Sequence, residues 1–184
     1  MLLTVSAVGF ALSEVSIRVR SAASRSGSRV DHGSIVAVVV TMVVGLLAAI
    51  WAADSVPAAS ICLPTASLVV GLALMWLGVV LRQWAVWTLG RFFTVVIRVA
   101  AHQAVVETGP YRWVRHPSYT GLLMTLLGLG AALGNWLSVL ALVTLPLLGL
   151  VIRIRVEERE LLSGLGEPYR RYCERRKRLV PGVW

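Results

Sequence analysis

The residues best suited to chemistry fall in two blocks. The first, from Gly109 to Gly121, reads Gly-Pro-Tyr-Arg-Trp-Val-Arg-His-Pro-Ser-Tyr-Thr-Gly and gathers charge, aromatic rings and turn formers within a chain otherwise made of long apolar runs. The second follows another apolar stretch and holds Arg153, Glu157, Glu158 and Glu160 on the approach to Gly166, Tyr169 and Tyr172. Pro110 and Pro117 fix turns and Gly109 and Gly121 permit close backbone approach, so the first block reads as a shaped loop that enters a helix near Pro117. Such a loop can enclose a polar ligand, and the two blocks read as halves of one site.

The elements that must position them are set by composition. Of the 184 residues, 57% are hydrophobic and 15% charged, with a mean hydropathy of +0.77. That balance is far from a soluble domain's and makes the chain an all-α integral membrane protein. Stretches near the roughly 20 residues that a crossing helix needs lie at 1–17, 34–53, 66–88, 118–133 and 136–152. The fourth and fifth are short and separated by Gly134 and Asn135, which predicts a tight antiparallel hairpin, paired and partly shielded. We read one membrane domain over 1–184, with N-terminal spans to 88 and a catalytic region from 89 that ends in a basic, partly helical tail.

The net charge of +9 would suggest nucleic acid in a soluble protein, but its placement argues otherwise. Arg18, Arg20, Arg25 and Arg29 follow the first span, Arg82 ends the third, and Arg91, Arg98, Arg112 and Arg115 lie in the segment after it. Nine more run from Arg153 onward, which accounts for all 18 basic residues. The breaks 54–64 and 134–135 contain none, so the loops alternate between basic and neutral as positive-inside topology requires. Five spans follow, with the N-terminus outside, the C-terminus and site in the cytoplasm, the cell membrane as location, and the basic tail against anionic lipid.

Other readings are weaker. The first run lacks a positive leading region, so a cleaved signal peptide is not expected. Glu14 within it is expected near the interface or paired with Arg18, four residues on. Cys62 and Cys173 fall on opposite sides of the membrane and form no disulfide framework. His32, His102 and His116 are too isolated for a metal site. Gly128, Gly130 and Gly134 imitate a dinucleotide fingerprint without a βαβ unit, and close helix packing explains them better. Taken alone, the first block also suits an ordinary juxtamembrane loop with an interfacial belt of Tyr111, Trp113 and Tyr119.

The first block, followed by Arg153, Glu157, Glu158, Leu161 and Gly166-x-x-Tyr169-x-x-Tyr172, resembles the isoprenylcysteine carboxyl methyltransferase family and its relatives among phospholipid methyltransferases, over roughly 90–184. The resemblance implies S-adenosylmethionine as methyl donor, bound at the cytoplasmic face, and a lipidic or prenylated acceptor that arrives from the bilayer. It implies that Gln103, Ala104, Val105 and Val106 contact the donor, that Tyr111 packs on it, and that His116, Pro117, Ser118 and Tyr119 complete the pocket. Glu158 would accept hydrogen bonds from the donor, and Arg153 would hold the acceptor carboxylate. Where relatives place a His at the start of the four-residue segment before Thr108, this chain has Gln103, with His102 one residue early. Arg91, Phe92, Phe93 and Thr94 also look like a family element. For a carboxylate acceptor, positioning and limited hydration should dominate the rate. The rival acceptor is a phospholipid amine, which would need a base such as Glu157 or His116. An Arg153–Glu157 helical ion pair and a non-enzymatic transporter or assembly subunit are the plainer alternatives.

Overall fold

The computed structural model describes residues 2–23, 33–93 and 105–184. Its α-helices are α1 (Leu2–Ala23), α2 (Ser34–Ser55), α3 (Pro64–Leu89), α4 (Pro117–Ala132), α5 (Trp136–Leu165) and α6 (Glu167–Arg175), and the described residues contain no β-strand. Each of the five apolar runs became one of the first five helices. Among the described residues, α2, α3 and α5 are long and apolar enough to cross a bilayer. The 22-residue α1 carries Glu14, Arg18 and Arg20, and the 16 residues of α4 rise roughly 24 Å against a hydrocarbon core of about 30 Å. The outer face of α2 presents Val36, Val40, Val43, Leu47, Ile50 and Trp51, a surface that hydrocarbon accommodates and water does not.

Local chemistry explains where these helices start and stop. Pro117 occupies the first turn of α4, where its missing N–H costs nothing. Gly134 turns the chain at φ +69°, and Asn135 caps α5 by accepting from the amides of Leu137 at 2.9 Å and Ser138 at 3.2 Å. The same buried side chain donates to the carbonyls of Ala52 and Val56, which fastens the α4–α5 turn to the end of α2. The expected hairpin is therefore present.

Its pairing differs from expectation, because α4 packs more extensively on α3 than on α5. Glycines are the reason. A Cβ on Gly78 would lie 2.5 Å from the Gly121 carbonyl, and one on Gly121 would lie 2.7 Å from the Arg82 amide. Gly128 likewise faces the Met75 backbone, whereas Gly130 admits Val139 of α5. The two helices touch through backbone, as small residues allow in membranes. Replacing Gly128 by Val is expected to cost about 1–3 kcal/mol through overpacking, read as an earlier thermal midpoint in detergent than that of lipid-facing Val80→Ala. Equal midpoints would contradict this packing account.

The segment after residue 152 is largely helical, as expected of the tail. Its first part is continuous with the last apolar run: α5 runs on to Leu165. Arg, Glu and Leu favour helix, and the helix ends at Gly166, whose φ is +62°. The polar residues of the second block thus stand on a rigid extension of a membrane helix.

Candidate active site

The loop before α4 is held from both sides. Gly109 turns at φ +56°, and a Cβ there would lie 2.7 Å from Thr88 Oγ1, so only glycine lets the loop lie against α3. Pro110 opens a 3₁₀ turn over Gly109–Arg112, and Trp113 packs edge-on against Trp84 of α3. From the other side, the tail after α6 folds back onto the loop. The amides of Arg115 and His116 donate to the carbonyls of Lys177 and Arg178 at 2.8 and 2.9 Å. Thr120 Oγ1 donates to the Leu179 carbonyl at 2.8 Å. Buried Tyr172 donates its hydroxyl to the carbonyl of Tyr111 at 2.7 Å. Burial, then the nearby charge of Glu107, pushes the Tyr172 phenol well above its ordinary range, so it stays a donor.

These contacts bring the two sequence blocks together. Glu158, 6% exposed, receives His116 Nε2 at 3.2 Å and Arg115 at 3.1 Å on one oxygen. Its other oxygen receives Arg178 Nε at 2.9 Å and the terminal nitrogen of the same guanidinium at 2.8 Å. Both carboxylate oxygens are thus engaged by protein. Next to it, the Tyr119 ring stacks on His116 at 5.6 Å between centroids. Tyr119 donates its hydroxyl to Glu157 at 2.8 Å and accepts from Arg153 Nε at 3.3 Å. The phenol therefore stands between the two partners of the expected helical ion pair. Buried Arg153 also donates to Ser34 Oγ at 3.0 Å.

A second polar cluster was not foreseen. Arg82 lies two turns inside α3 rather than at its end and is 8% exposed. Its Nε and one terminal nitrogen bind Glu14 at 2.6 and 3.1 Å. The other terminal nitrogen binds the Ser118 carbonyl at 3.1 Å and its hydroxyl at 2.9 Å. Glu14 thus pairs with Arg82, a partner that the sequence reading did not name. A lone arginine within an apolar helix was the available signal, since such a charge is retained only with a partner.

These groups surround a cavity of about 260 Å³, slightly below the usual range of ligand pockets, about 300–1,000 Å³. Its polar lining includes Tyr111, Arg115, His116, Ser118, Tyr119, Glu157 and Arg153, together with Glu14 and Arg82, and its apolar lining includes Ile35, Val38, Met42, Leu122 and Leu150. Val105, Val106, Phe92 and Phe93 also line it. Of the expected site residues, Pro117 starts α4 beside the cavity and Glu158 stands behind His116, whereas Glu157 takes the lining position. Gln103, Ala104, Thr94 and His102 lie outside the described residues, as does the side chain of Arg91. Burial and then the charge of Glu157 raise the Tyr111 phenol, which keeps it neutral.

The profile of the isoprenylcysteine carboxyl methyltransferase (ICMT) family matches residues 69–163. The protein-S-isoprenylcysteine O-methyltransferase B of Arabidopsis thaliana is 36% identical over 115 residues, which cover 61% of this chain and 58% of that protein. The protein-S-isoprenylcysteine O-methyltransferase of Schizosaccharomyces pombe is 33% identical over 120 residues, 61% of this chain and 47% of that protein. This chain therefore spans about half the length of these curated relatives. Among solved structures, the eukaryotic intramembrane Ras methyltransferase ICMT superposes with a TM-score of 0.64 at 26% identity, over 84% of this chain and 55% of that one.

Proposed function

Because this chain belongs to the isoprenylcysteine carboxyl methyltransferase family, we propose that it transfers a methyl group from S-adenosylmethionine to the carboxylate of a prenylcysteine-like lipidic acid. The observation that carries this reading is one cavity with two chemistries. Tyr111, Tyr119, His116 and the Glu157 carboxylate offer aromatic faces and negative charge, which suit a sulfonium cation. Arg153 lies on the same cavity beside apolar residues from α2 and α5, which suits a carboxylate at the end of an isoprenoid chain.

When bound, the donor supplies an already electrophilic methyl group. The protein's residues then have to position and desolvate. Arg153, braced by Ser34 and Tyr119, orients the acceptor carboxylate, for which a guanidinium fork is matched. The apolar wall strips water from that anion. Val105, Val106, Tyr111, His116, Ser118 and Tyr119 hold the donor, with Pro117 at the start of α4 beside them, a role the family resemblance also assigns to Gln103 and Ala104. Glu158 serves the donor site through His116, which it holds in place. No proton has to move, because the acceptor carboxylate is ionised near neutral pH.

The test is calorimetric titration of the detergent-purified protein with S-adenosylmethionine, followed by transfer of labelled methyl to an S-farnesylcysteine acid and, separately, to an aminophospholipid. Saturable binding with transfer to the acid supports the reading. Transfer only to the amine would replace it with N-methylation, and a folded protein that binds no donor would end it.

We also retain five spans, an outside N-terminus and a cytoplasmic active site in the cell membrane. Cys62 is exposed between α2 and α3, and Cys173 is partly covered on α6. Membrane-impermeant thiol reagents on intact cells are expected to label Cys62 and spare Cys173, whose modification should require permeabilised cells. The opposite pattern would invert the topology.

A further inference from the structure

The outer face of α5 changes character along its length. Leu140, Leu148 and Ile152 are exposed on it, and from Leu148 the stripe continues at steps of three and four residues through Arg155 and Arg159 to exposed Leu162. Arg155 and Arg159 are both exposed, and neither makes a hydrogen bond or an ion pair among the described residues. Other basic residues on this side are engaged by protein. Arg170 and Arg171 share Glu167, Arg175 binds Glu107, and Arg178 binds Glu158. Two like charges one helical turn apart oppose each other, and an anion between them removes that cost.

Helix packing fixes the depth of this pair. A Cβ on Gly121 of α4 would lie 2.7 Å from the Arg82 amide of α3, and one on Gly130 would lie 2.7 Å from Val139 Cα of α5. Gly130 stands nine residues after Gly121, and nine residues on from Val139 along antiparallel α5 bring Leu148 level with Arg82. Trp87, five residues past Arg82, is then level with Arg153. Trp84 and Trp87 are exposed on α3, as is Trp113 on the loop beside them, and such rings mark the headgroup layer of a bilayer. Arg155 and Arg159 lie roughly 3 and 9 Å beyond that level, at about 1.5 Å per residue. The headgroup layer is about 5–8 Å deep in each leaflet, and arginine stems bridge the remaining distance. Hydrocarbon therefore meets Leu148 and Ile152, and headgroups meet the two guanidinium groups.

We propose that Arg155 and Arg159 form a seat for the phosphate of an anionic phospholipid whose acyl chains lie along Leu148 and Ile152. Guanidinium forks match phosphate oxygens, and a lipid is the occupant because the pair continues a hydrocarbon-facing stripe. Arg153 and Glu157 leave the same turns of α5 toward the cavity, so a headgroup held outside steadies the helix that carries them. The seat stands apart from methyl transfer, and its test needs neither donor nor acceptor. The full chain is placed in nanodiscs of phosphatidylcholine, with and without phosphatidylglycerol, and its thermal midpoint is measured. One variant carries Arg155→Gln with Arg159→Gln; a control carries Arg170→Gln with Arg171→Gln, which removes the same charge from α6. Wild type and control are expected to gain at least about 5 °C from phosphatidylglycerol, the rise for a site held roughly 100-fold above its dissociation constant in a protein of this size. The Arg155 and Arg159 variant should gain less than half of that. Each protein is compared with itself in phosphatidylcholine, so a general loss of stability cancels. An equal gain in the Arg155 and Arg159 variant, or no gain in wild type, overturns the proposal. A gain as large from inorganic phosphate or polyglutamate added to phosphatidylcholine nanodiscs would assign the pair to a soluble anion or an acidic protein, and would also overturn it.

Discussion

Arg153→Ala is expected to lower kcat/KM for a prenylcysteine acid by about 100-fold or more while leaving S-adenosylmethionine binding near the wild-type value. The magnitude follows from the hydrogen bonds at stake. One to a charged group is worth about 1.5–3 kcal/mol, and each 1.4 kcal/mol is a factor of ten. Arg153 is 4% exposed, so its field is poorly screened by water and acts on a carboxylate taken out of water. The arginine is also pre-oriented, with Nε on the Tyr119 hydroxyl and a terminal nitrogen on Ser34, so the acceptor need not organise it. Arg153→Lys should recover part of the loss, because it restores charge without the planar fork. Tyr119→Phe should cost less than Arg153→Ala, since it loosens the brace and keeps the guanidinium. Steady-state kinetics with varied acceptor, beside a melting curve for each variant, would measure this. Wild-type kinetics in a folded Arg153→Ala protein would remove Arg153 from the acceptor site.

How much of this was legible in the sequence depends on the range of the interaction. The five apolar runs became helices because the preference of a hydrocarbon-facing segment is written in its own residues. Pro117 and Asn135 set helix starts for equally local reasons. The meeting of the two polar blocks was read from their residues and reinforced by resemblance, and the structure joins them through His116 and Glu158. Contacts that depend on which helix lies beside which were not legible. Nothing near Glu14 in the sequence points to Arg82, since their pairing needs α1 against α3. Close packing at Gly128 was read from the sequence, but not its partner helix: the preference of α4 for α3 depends on Gly71, Gly78, Gly121 and Gly128 facing each other across two helices. The return of the tail over the loop was also missed, because its hydrogen bonds are made by backbone amides and carbonyls that carry no side-chain signature.

Glu157 and Glu158 show the same limit at single-residue scale, and they give the second large prediction. Successive helix residues point about 100° apart, so two adjacent carboxylates in the sequence enter different surroundings. Glu157 is half-buried and touches the neutral Tyr119 hydroxyl. Glu158 is buried and joins Arg115, His116 and Arg178, which come from the loop and the tail. Its removal would leave buried positive charge without its counter-ion, a loss of about 3–5 kcal/mol when one partner of a buried pair is deleted. Glu158→Ala is therefore expected to lower the thermal midpoint in detergent by roughly 10 °C, at about 2–4 °C per kcal/mol for a protein of this size. Glu158→Gln should fall between, since it keeps an acceptor oxygen and loses the charge. Glu157→Gln should stay within a few degrees of wild type, because its hydrogen bond is to a neutral phenol, its contact with His116 Nδ1 is a longer 3.9 Å and water still reaches it. Limited proteolysis should then cut the Glu158→Ala protein near 176–184 before other sites, as the tail detaches from the loop. If Glu157→Gln proved the less stable variant, the carboxylate that joins loop, helix and tail would be misassigned, and Glu157 would have to take that role.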